Sequence, residues 1–260
     1  MMSSNGWITP DWPAPPGVRS VCTTRQGGVS VGAYASLNLG DHVADDQAHV
    51  AINRKIFSDA LGARPVFLRQ VHGWQVETLD ANTPDGTEAD ACITSSVGVA
   101  CTIMVADCLP ILFATRSGAP VAAVAAAHAG WRGLVGQGGH GVIESTCKAL
   151  LEMSAGIPQD IVAWLGPCIG PAAFEVGPEV KAAFEDADSH AHLCFRPRGD
   201  GKWLADLPGL ARLRLRRNGI TQLSGNDGST PWCTASNPSR FFSHRRDRVS
   251  GRLAASIWLA

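Results

Sequence analysis

Short apolar runs of the length of β-strands make up much of the hydrophobic pattern of this chain. They predict strands at residues 18–24, 66–71, 75–79, 91–94, 99–105, 109–114, 121–127 and 161–165. Most of these runs are apolar at nearly every position and lack a polar alternation. We therefore expect sheets that are covered on both faces. Further strands are predicted near 220–223 and 240–243.

Segments with helical periodicity are fewer. They predict helices at residues 47–61, 142–153, 179–185 and 206–217, and a short helix at the C-terminal end. Asp45 and Asp46 favour the start of the first helix, and Gly62 favours its end. Because strands outnumber helices and do not alternate regularly with them, the pattern favours an α+β fold with packed sheets over a doubly wound parallel sheet.

No linker, internal repeat or low-complexity tract divides the chain. The segment from Pro10 to Gly17 is rich in proline and predicts an extended start. With 260 residues, of which 45% are hydrophobic and 17% charged, the chain can bury a large core. We expect an extended N-terminal segment at residues 1–17 and a single catalytic domain at residues 18–260.

The charge pattern argues against nucleic acid and membranes as partners. The formal net charge is −1, and no apolar run reaches the roughly 20 residues that span a bilayer. A basic cluster on the predicted helix at residues 206–217 is interpreted as a solvated face; it contains Arg212, Arg214, Arg216 and Arg217. A second basic group, at residues 244–248, directly follows Phe241 and Phe242, where polar side chains often line a pocket.

The eight cysteines do not indicate a disulfide framework. Such frameworks are typical of short secreted chains, whereas this chain is long and its first 20 residues lack an apolar signal region. We therefore expect reduced thiols and a cytoplasmic protein, with a monomer favoured.

Three residues carry most of the candidate chemistry, because each stands where a strand-like run meets a turn that contains glycine or proline. They are His72 in Gln70-Val71-His72-Gly73, Cys108 in Ala106-Asp107-Cys108-Leu109-Pro110, and His128 in His128-Ala129-Gly130-Trp131-Arg132-Gly133. A rigid scaffold presents side chains to ligands at such turns. Together the three form a His2Cys zinc set, and the open fourth position of a tetrahedral ion is typical of a catalytic site. Taken singly, each histidine is more typical of a structural residue and Cys108 of a small buried hydrophobe.

Polar residues near these three are weaker candidates. Arg132 is suited either to clamping an anion such as phosphate or to an ion pair that holds its turn. Arg25 and Asn38 lie in glycine-containing turns and are candidates of the same kind. Asp107 is interpreted as a residue that caps the turn or supports a ligand, since it would face away from Cys108 in a strand.

Several common catalytic motifs are absent. The chain has no GxGxxG, GxSxG or Walker loop, which argues against dinucleotide, serine-hydrolase and P-loop chemistry. The H-x-E and P-C-x-x-C pattern of the familiar zinc deaminases is missing too. Any deamination of a base would need a different kind of site.

A series of motifs resembles one family along nearly the whole chain, from about residue 18 to residue 257. Besides the three motifs around His72, Cys108 and His128, the series comprises Thr24-Arg25-Gln26-Gly27-Gly28-Val29-Ser30, Ser36-Leu37-Asn38-Leu39-Gly40, Leu165-Gly166-Pro167 and Phe242-Ser243-His244-Arg245-Arg246-Asp247. The family is YfiH-like, and its members are also named polyphenol oxidase, laccase-domain protein, peptidoglycan editing factor and purine nucleoside phosphorylase. His244 departs from the resemblance, since an aromatic residue is expected before Arg-Arg-Asp.

The resemblance implies a layered fold with mixed sheets packed between helices, and a zinc site that maps onto His72, Cys108 and His128. It also implies phosphorolysis of adenosine, inosine, guanosine or methylthioadenosine, together with deamination of adenosine. Copper-dependent oxidation of phenols has been attributed to the family as well.

Four hypotheses follow, and the first is favoured. It is a zinc-dependent purine nucleoside enzyme in which Arg132, with Arg25 or Arg245, holds phosphate. The second is a cysteine hydrolase of amides such as cell-wall peptide precursors, with Cys108 as nucleophile and a histidine as base. The third is a copper oxidase, which the few well-placed histidines disfavour, although Cu²⁺ can replace Zn²⁺ at such a site. The fourth is a binding protein without catalytic activity.

Overall fold

The computed structural model describes residues 6–116 and 118–260. Of the predicted extended N-terminal segment, residues 1–5 lie outside the described residues. In its remaining part, Ile8 pairs with Cys22 through two backbone hydrogen bonds of 2.8 and 2.9 Å. This contact lays the start of the chain along the first strand.

The described residues form six α-helices. They are α1 (Gln47–Leu61), α2 (Trp131–Val135), α3 (Val142–Ser154), α4 (Pro178–Ala187), α5 (Leu207–Arg217) and α6 (His244–Asp247). Four of them, α1, α3, α4 and α5, lie at the positions that the sequence predicts; α2 and α6 were not predicted. Asp46 caps α1 by accepting a hydrogen bond from the Ala48 N–H, and Asp206 caps α5 in the same way from the Gly209 N–H. The Asp46 cap agrees with the helix start that the sequence predicts.

Thirteen strands build three sheets in the described residues. In chain order they are β1 (Val18–Cys22), β2 (Arg64–Phe67), β3 (Val76–Thr78), β4 (Ala91–Thr94), β5 (Val99–Val105), β6 (Leu109–Thr115), β7 (Val124–Ala129), β8 (Ile161–Leu165), β9 (Glu175–Val176), β10 (Phe195–Gly199), β11 (Lys202–Ala205), β12 (Gln222–Gly225) and β13 (Leu253–Leu259). The strand orders are β1-β13-β5-β2, β12-β8-β6-β7-β4-β3 and β10-β11-β9. Both parallel and antiparallel pairs occur in the two larger sheets.

The two larger sheets pack face to face, and helices cover their outer faces. Cys101 and Ile103 of β5 meet Leu112 of β6 between the sheets. Phe57 of α1 packs on the outer face of the four-stranded sheet, while α3 and α5 cover the six-stranded sheet around Phe113. This α/β/β/α layering confirms the α+β class. It also explains the apolar strands, since both faces of each sheet are buried.

Three sequence predictions were wrong in detail. The chain does not end in a helix: α6 is followed by β13, a strand that pairs with β1 on one side and β5 on the other. Pairing with a strand on each side satisfies backbone groups of this alanine-containing segment and overrides its modest strand propensity. Residues 240–243 form no strand. The basic face of α5 is not fully solvated either, since Arg214 is buried and pairs with Glu144 at 2.8 Å.

The fold brings three strand ends together on one side of the molecule. The loop between β2 and β3 carries His72, the bend between β5 and β6 carries Cys108, and the end of β7 carries His128. None of the described helices is long and apolar enough to cross a bilayer.

Candidate active site

His72, Cys108 and His128 meet in space although they are far apart in the sequence. Each offers one ligand atom, and these atoms lie within 4.8 Å of one another. The Cys108 Sγ is 3.7 Å from the His72 Nε2, and the two imidazole rings stand edge to face with centroids 4.8 Å apart. The predicted convergence of these three side chains is therefore present in the structure.

Two of the three segments adopt left-handed backbone conformations. His72 has φ +63°, and Asp107, immediately before Cys108, has φ +94°. Residues other than glycine rarely adopt positive φ, and they do so mostly where surrounding contacts enforce it. For Asp107 those contacts are two hydrogen bonds to its carboxylate, from the Thr234 hydroxyl at 2.6 Å and the Arg245 N–H at 2.7 Å. The Asp107 carboxylate thus ties the turn before Cys108 to Thr234 and to the first turn of α6.

The corresponding contact for His72 is Asp90, a residue that the sequence analysis missed. The carboxylate of Asp90 is fully buried and accepts hydrogen bonds from the backbone N–H groups of Val71, His72 and Gly73 at 2.7–3.1 Å. It also lies 2.7 Å from the His128 Nδ1. A lone aspartate between Ala89 and Ala91 in an apolar run was the available signal, because a buried carboxylate needs partners.

Gly130 lets the ligand atoms approach one another. A Cβ at this position would lie 2.8 Å from the His72 Cδ2, closer than real Cβ atoms come, and 3.0 Å from the Cys108 Sγ, an unusually tight contact. The glycine therefore keeps open the space beside the three ligands. This close approach explains why glycine is needed directly after β7.

The three residues fit a metal ion. A tetrahedral ion with a Cys sulfur at about 2.3 Å and a His nitrogen at about 2.0–2.1 Å needs these two atoms about 3.6 Å apart, and the observed separation is 3.7 Å. The Asp90 contact occupies the His128 Nδ1 and leaves Nε2 for a metal, which is the usual arrangement of a ligating histidine. Two imidazoles and one thiolate suit zinc or copper.

The electrostatics of the cluster favour a thiolate. Burial raises the pKa of the Cys108 thiol, but the His128 charge and hydrogen bonds from His128 and His72 outweigh burial and bring it to about 6. Burial likewise opposes the protonation of His128, but Cys108 and Asp90 together raise its pKa to about 9. A deprotonated sulfur is the form that binds a metal or acts as a nucleophile.

The cluster opens into a cavity of about 470 Å³. Apolar side chains form part of its wall, namely Met104, Trp131, Ile169, Phe174 and Leu207. Its volume falls within the roughly 300–1,000 Å³ that is typical of small-molecule sites. The cavity therefore has room for a small molecule that reaches His72, Cys108 and His128.

Four arginines line the same cavity: Arg132, Arg245, Arg248 and Arg252. Ion pairs between arginine and carboxylate in residues 6–116 and 118–260 involve other arginines, so none of these four is neutralised by a described acid within 4.0 Å. Asp107 is the acidic residue of the cavity lining, and its oxygens already accept from Thr234 and Arg245. The cavity is thus suited to an anion.

Three of the four arginines are held by different contacts. The Arg132 guanidinium lies over the Trp131 ring at 4.5 Å, and Arg245 donates from Nη1 to the Glu175 carbonyl at 2.9 Å. Arg252 donates to the Ser250 carbonyl, and burial lowers its pKa. These contacts leave further N–H groups of each guanidinium available to a ligand.

Arg25 and Asn38, two other sequence candidates, lie outside the cavity lining. Arg25 donates to the carbonyls of Ala35 and Pro238 at 2.7 and 2.9 Å and stacks on Phe242. Asn38 is fully buried, and its Oδ1 accepts from the Arg252 N–H at 2.8 Å. The structure thus groups Arg132 and Arg245 with the ligands, adds Arg248 and Arg252, and places Asn38 behind Arg252.

Fold and site together define an α+β protein in which a His-Cys-His cluster, able to hold a metal, opens into an arginine-lined cavity. Comparison with known proteins agrees with this class. The chain belongs to the family described as multi-copper polyphenol oxidoreductase laccase, which matches residues 19–260.

Relatives with similar sequences confirm the resemblance to the YfiH proteins. A Pseudomonas aeruginosa protein named purine nucleoside phosphorylase is 48% identical over 98% of this chain and 99% of its own length. The Escherichia coli purine nucleoside phosphorylase YfiH is 47% identical over 97% of this chain and 98% of its own. A crystal structure from Neisseria meningitidis, 43% identical, covers 97% of this chain and 98% of its own with a TM-score of 0.87. The names of the first two relatives support an enzymatic role.

Proposed function

We propose that this chain is a zinc-dependent purine nucleoside phosphorylase. The observation that carries the proposal is the His72-Cys108-His128 cluster facing a cavity with four arginines that lack carboxylate partners. Relatives that carry the name purine nucleoside phosphorylase align over almost the whole chain. The proposed substrates are phosphate and adenosine, inosine, guanosine or methylthioadenosine, converted by a cytoplasmic monomer.

The chemistry of phosphorolysis matches the two kinds of wall in the cavity. A phosphate oxygen forms a bond to the sugar C1′ while the bond from C1′ to the purine nitrogen breaks and its electron pair leaves with the base, which then takes up a proton. Positive charge develops at C1′ and negative charge on the base. The site must therefore hold phosphate on one side of the sugar and the purine on the other.

The arginines are the groups suited to phosphate. Arg132, Arg245 and Arg248 project planar guanidinium groups into the cavity from α2 and from α6 and its end, and such groups bind phosphate oxygens in pairs. Trp131 and Phe174 offer flat apolar surfaces for a base. A bound zinc would supply Lewis acidity beside the base or the sugar.

Deamination of adenosine is proposed as a second activity of the same cavity. The cluster and the apolar wall line one cavity, so a nucleoside held there lies near the cluster. Water would add at C6 of the purine, and the amino group would leave as ammonia. Omitting phosphate separates the two reactions, because deamination needs water alone.

Replacing Cys108 tests the proposed function. Cys108→Ala removes the thiolate ligand, so we expect loss of stoichiometric zinc and at least a hundredfold loss of inosine phosphorolysis. Mass spectrometry of a nucleoside mixture, with and without phosphate, measures the products on protein of known metal content. Cys194→Ala is the matched control, since Cys194 is partly exposed and lies outside the cavity lining. Retention of full phosphorolysis by Cys108→Ala would refute the metal role.

One observation favours a second candidate, an amide hydrolase with Cys108 as the nucleophile. The pKa of the Cys108 thiol is lowered to about 6, and two imidazoles stand beside it as potential bases. Zinc content separates the two candidates, because an ion bound to the sulfur would occupy the nucleophile. A multi-copper oxidase is disfavoured, since the described residues contain a single cluster of metal-binding type, whereas that chemistry needs several.

A further inference from the structure

We propose that Asp90 is a positioning residue that fixes the orientation of both histidine ligands. It would select the nitrogen that His128 presents and hold the turn that carries His72. The proposal rests on the metal site of the proposed function and is independent of the substrate. Asp90 would touch neither metal nor substrate and would act through the two histidines.

The contacts of the Asp90 carboxylate all lead to the two histidine segments. Its Oδ1 accepts from the His72 N–H at 2.9 Å and lies 2.7 Å from the His128 Nδ1, while its Oδ2 accepts from the N–H groups of Val71 at 3.1 Å and Gly73 at 2.7 Å. Each oxygen thus faces two donors. The carboxylate contacts no other element through a hydrogen bond among the described residues.

These contacts dictate the tautomer of His128. An acceptor at 2.7 Å that already receives a backbone N–H requires a proton on the His128 Nδ1. The lone pair of a neutral imidazole then lies on Nε2, on the side of Cys108 and His72. A ligating histidine commonly relies on such a carboxylate to fix its ring and tautomer.

The same carboxylate stabilises the unusual backbone of His72. With φ at +63°, successive N–H groups of residues 71–73 converge on one point, and the carboxylate occupies that point. Converging N–H groups of this kind form a concave anion site. In this protein the anion is a side chain of the protein itself, so the turn is preorganised before any ligand arrives.

Asp90→Asn is a sharp test, because asparagine has one acceptor and one donor group in place of two acceptors. Whichever way the amide is turned, its NH2 group takes the place of one carboxylate oxygen and faces the two donors that this oxygen had accepted from. If the amide donates to His128, the proton moves to Nε2 and this nitrogen can no longer bind a metal. If it faces Val71 and Gly73, the His72 turn loses its acceptor. We expect zinc affinity to fall roughly 10–100-fold.

The experiment measures the zinc dissociation constant by competition with a chromophoric chelator. It compares the full-length wild type, Asp90→Asn, Asp90→Glu and Asp188→Asn. Asp188 is the matched control: its carboxylate is also buried and pairs with Arg217, but it lies outside the cavity lining. Asp90→Glu retains two acceptors and is expected to recover part of the affinity. Asp188→Asn is expected to bind zinc as the wild type does.

Long-range ¹H–¹⁵N spectra of the imidazoles supply a readout that does not depend on a variant being folded. In the zinc-loaded wild type we expect His128 to carry its proton on Nδ1. A wild type with the proton on Nε2 would overturn the Asp90 proposal. So would an Asp90→Asn variant that binds zinc within twofold of the wild type, or an equal loss in Asp188→Asn. A wild type that binds no zinc at all would instead overturn the proposed function together with this role of Asp90.

Discussion

Cys108 differs from other cysteines of the chain in the charges that surround it. Burial raises the pKa of the Cys22 and Cys147 thiols to about 12, with no cation close enough to reverse the effect. Cys108 is partly exposed, and although burial raises the pKa of its thiol too, the neighbouring imidazoles bring it to about 6. At neutral pH Cys108 is thus mostly thiolate while the Cys22 and Cys147 thiols stay protonated, which makes Cys108 the most reactive of these cysteines.

Alkylation of the metal-free protein should therefore be selective. At pH 7, above the pKa of about 6, Cys108 is mostly thiolate and iodoacetamide should label it first; the rate should fall as the pH drops below 6. Bound zinc should suppress this labelling by occupying the sulfur. Peptide mass spectrometry locates the label, and Cys194, with a pKa raised to about 11, serves as the internal control. Equal labelling of Cys108 with and without zinc would contradict metal binding at this sulfur.

For single residues, the sequence predicted the three side chains that converge, but not the residues that support them. His72, Cys108 and His128 each stand in a recognisable motif, so residue type and turn placement sufficed. Asp90 and Gly130 depend on distances across the fold: one meets His128 through space, and the other leaves room for two side chains from different loops. Such proximities follow from the arrangement of strands, which the pattern of a single sequence does not contain.

The segment from α6 to the start of β13 contributes three of the four arginines of the cavity. Arg245 lies in α6, Arg248 at its C-terminal end with φ +64°, and Arg252 just before β13. The sequence marked residues 244–248 as possible pocket residues, and the cavity lining includes His244, Arg245 and Arg248. Arg252 was missed because its position depends on β13, a strand where the sequence had predicted a terminal helix.

Arg132 offers the clearest test of phosphate binding among these arginines. Its side chain is exposed and stacks on Trp131, so its replacement should disturb the fold little. A charged hydrogen bond to phosphate contributes about 1.5–3 kcal/mol. We expect Arg132→Gln to raise the KM for phosphate by about 10–100-fold and to change the KM for inosine far less.

Steady-state kinetics with phosphate and inosine varied separately measures the two KM values. Arg19→Gln, an exposed arginine on β1 outside the cavity lining, controls for the loss of one positive charge. Arg132→Lys should recover only part of the phosphate affinity, because an ammonium lacks the planar pair of donors. An unchanged KM for phosphate in Arg132→Gln would remove this residue from the phosphate site.

The two large sheets contribute different parts of the cluster. His72 follows β2 of the four-stranded sheet, His128 ends β7 of the six-stranded sheet, and Cys108 lies in the bend that joins β5 of the first sheet to β6 of the second. The apolar runs of the sequence predicted the strands and their burial. They did not predict which strands would be neighbours, because apolar side chains are interchangeable as packing partners and the pairing is decided by the whole fold.

An ion at this cluster would link the two sheets, so metal binding should be coupled to global stability. The ligands meet only in the folded chain, and an ion that binds only the folded state stabilises it by about 2.7 kcal/mol at 100 times its dissociation constant. For a chain of this size that is a rise in Tm of roughly 5–10 °C. Differential scanning calorimetry of metal-free protein with and without zinc measures the rise.

Two variants show whether that rise comes from the cluster. Cys108→Ala should lose it, because two imidazoles alone hold zinc weakly, whereas Arg132→Gln should keep it, because this arginine faces the proposed phosphate and is no ligand. Nonspecific zinc binding to surface histidines would raise or lower the Tm of all three proteins alike. A rise that persists in Cys108→Ala would place the ion elsewhere, and the link between the sheets would then rest on their packing alone.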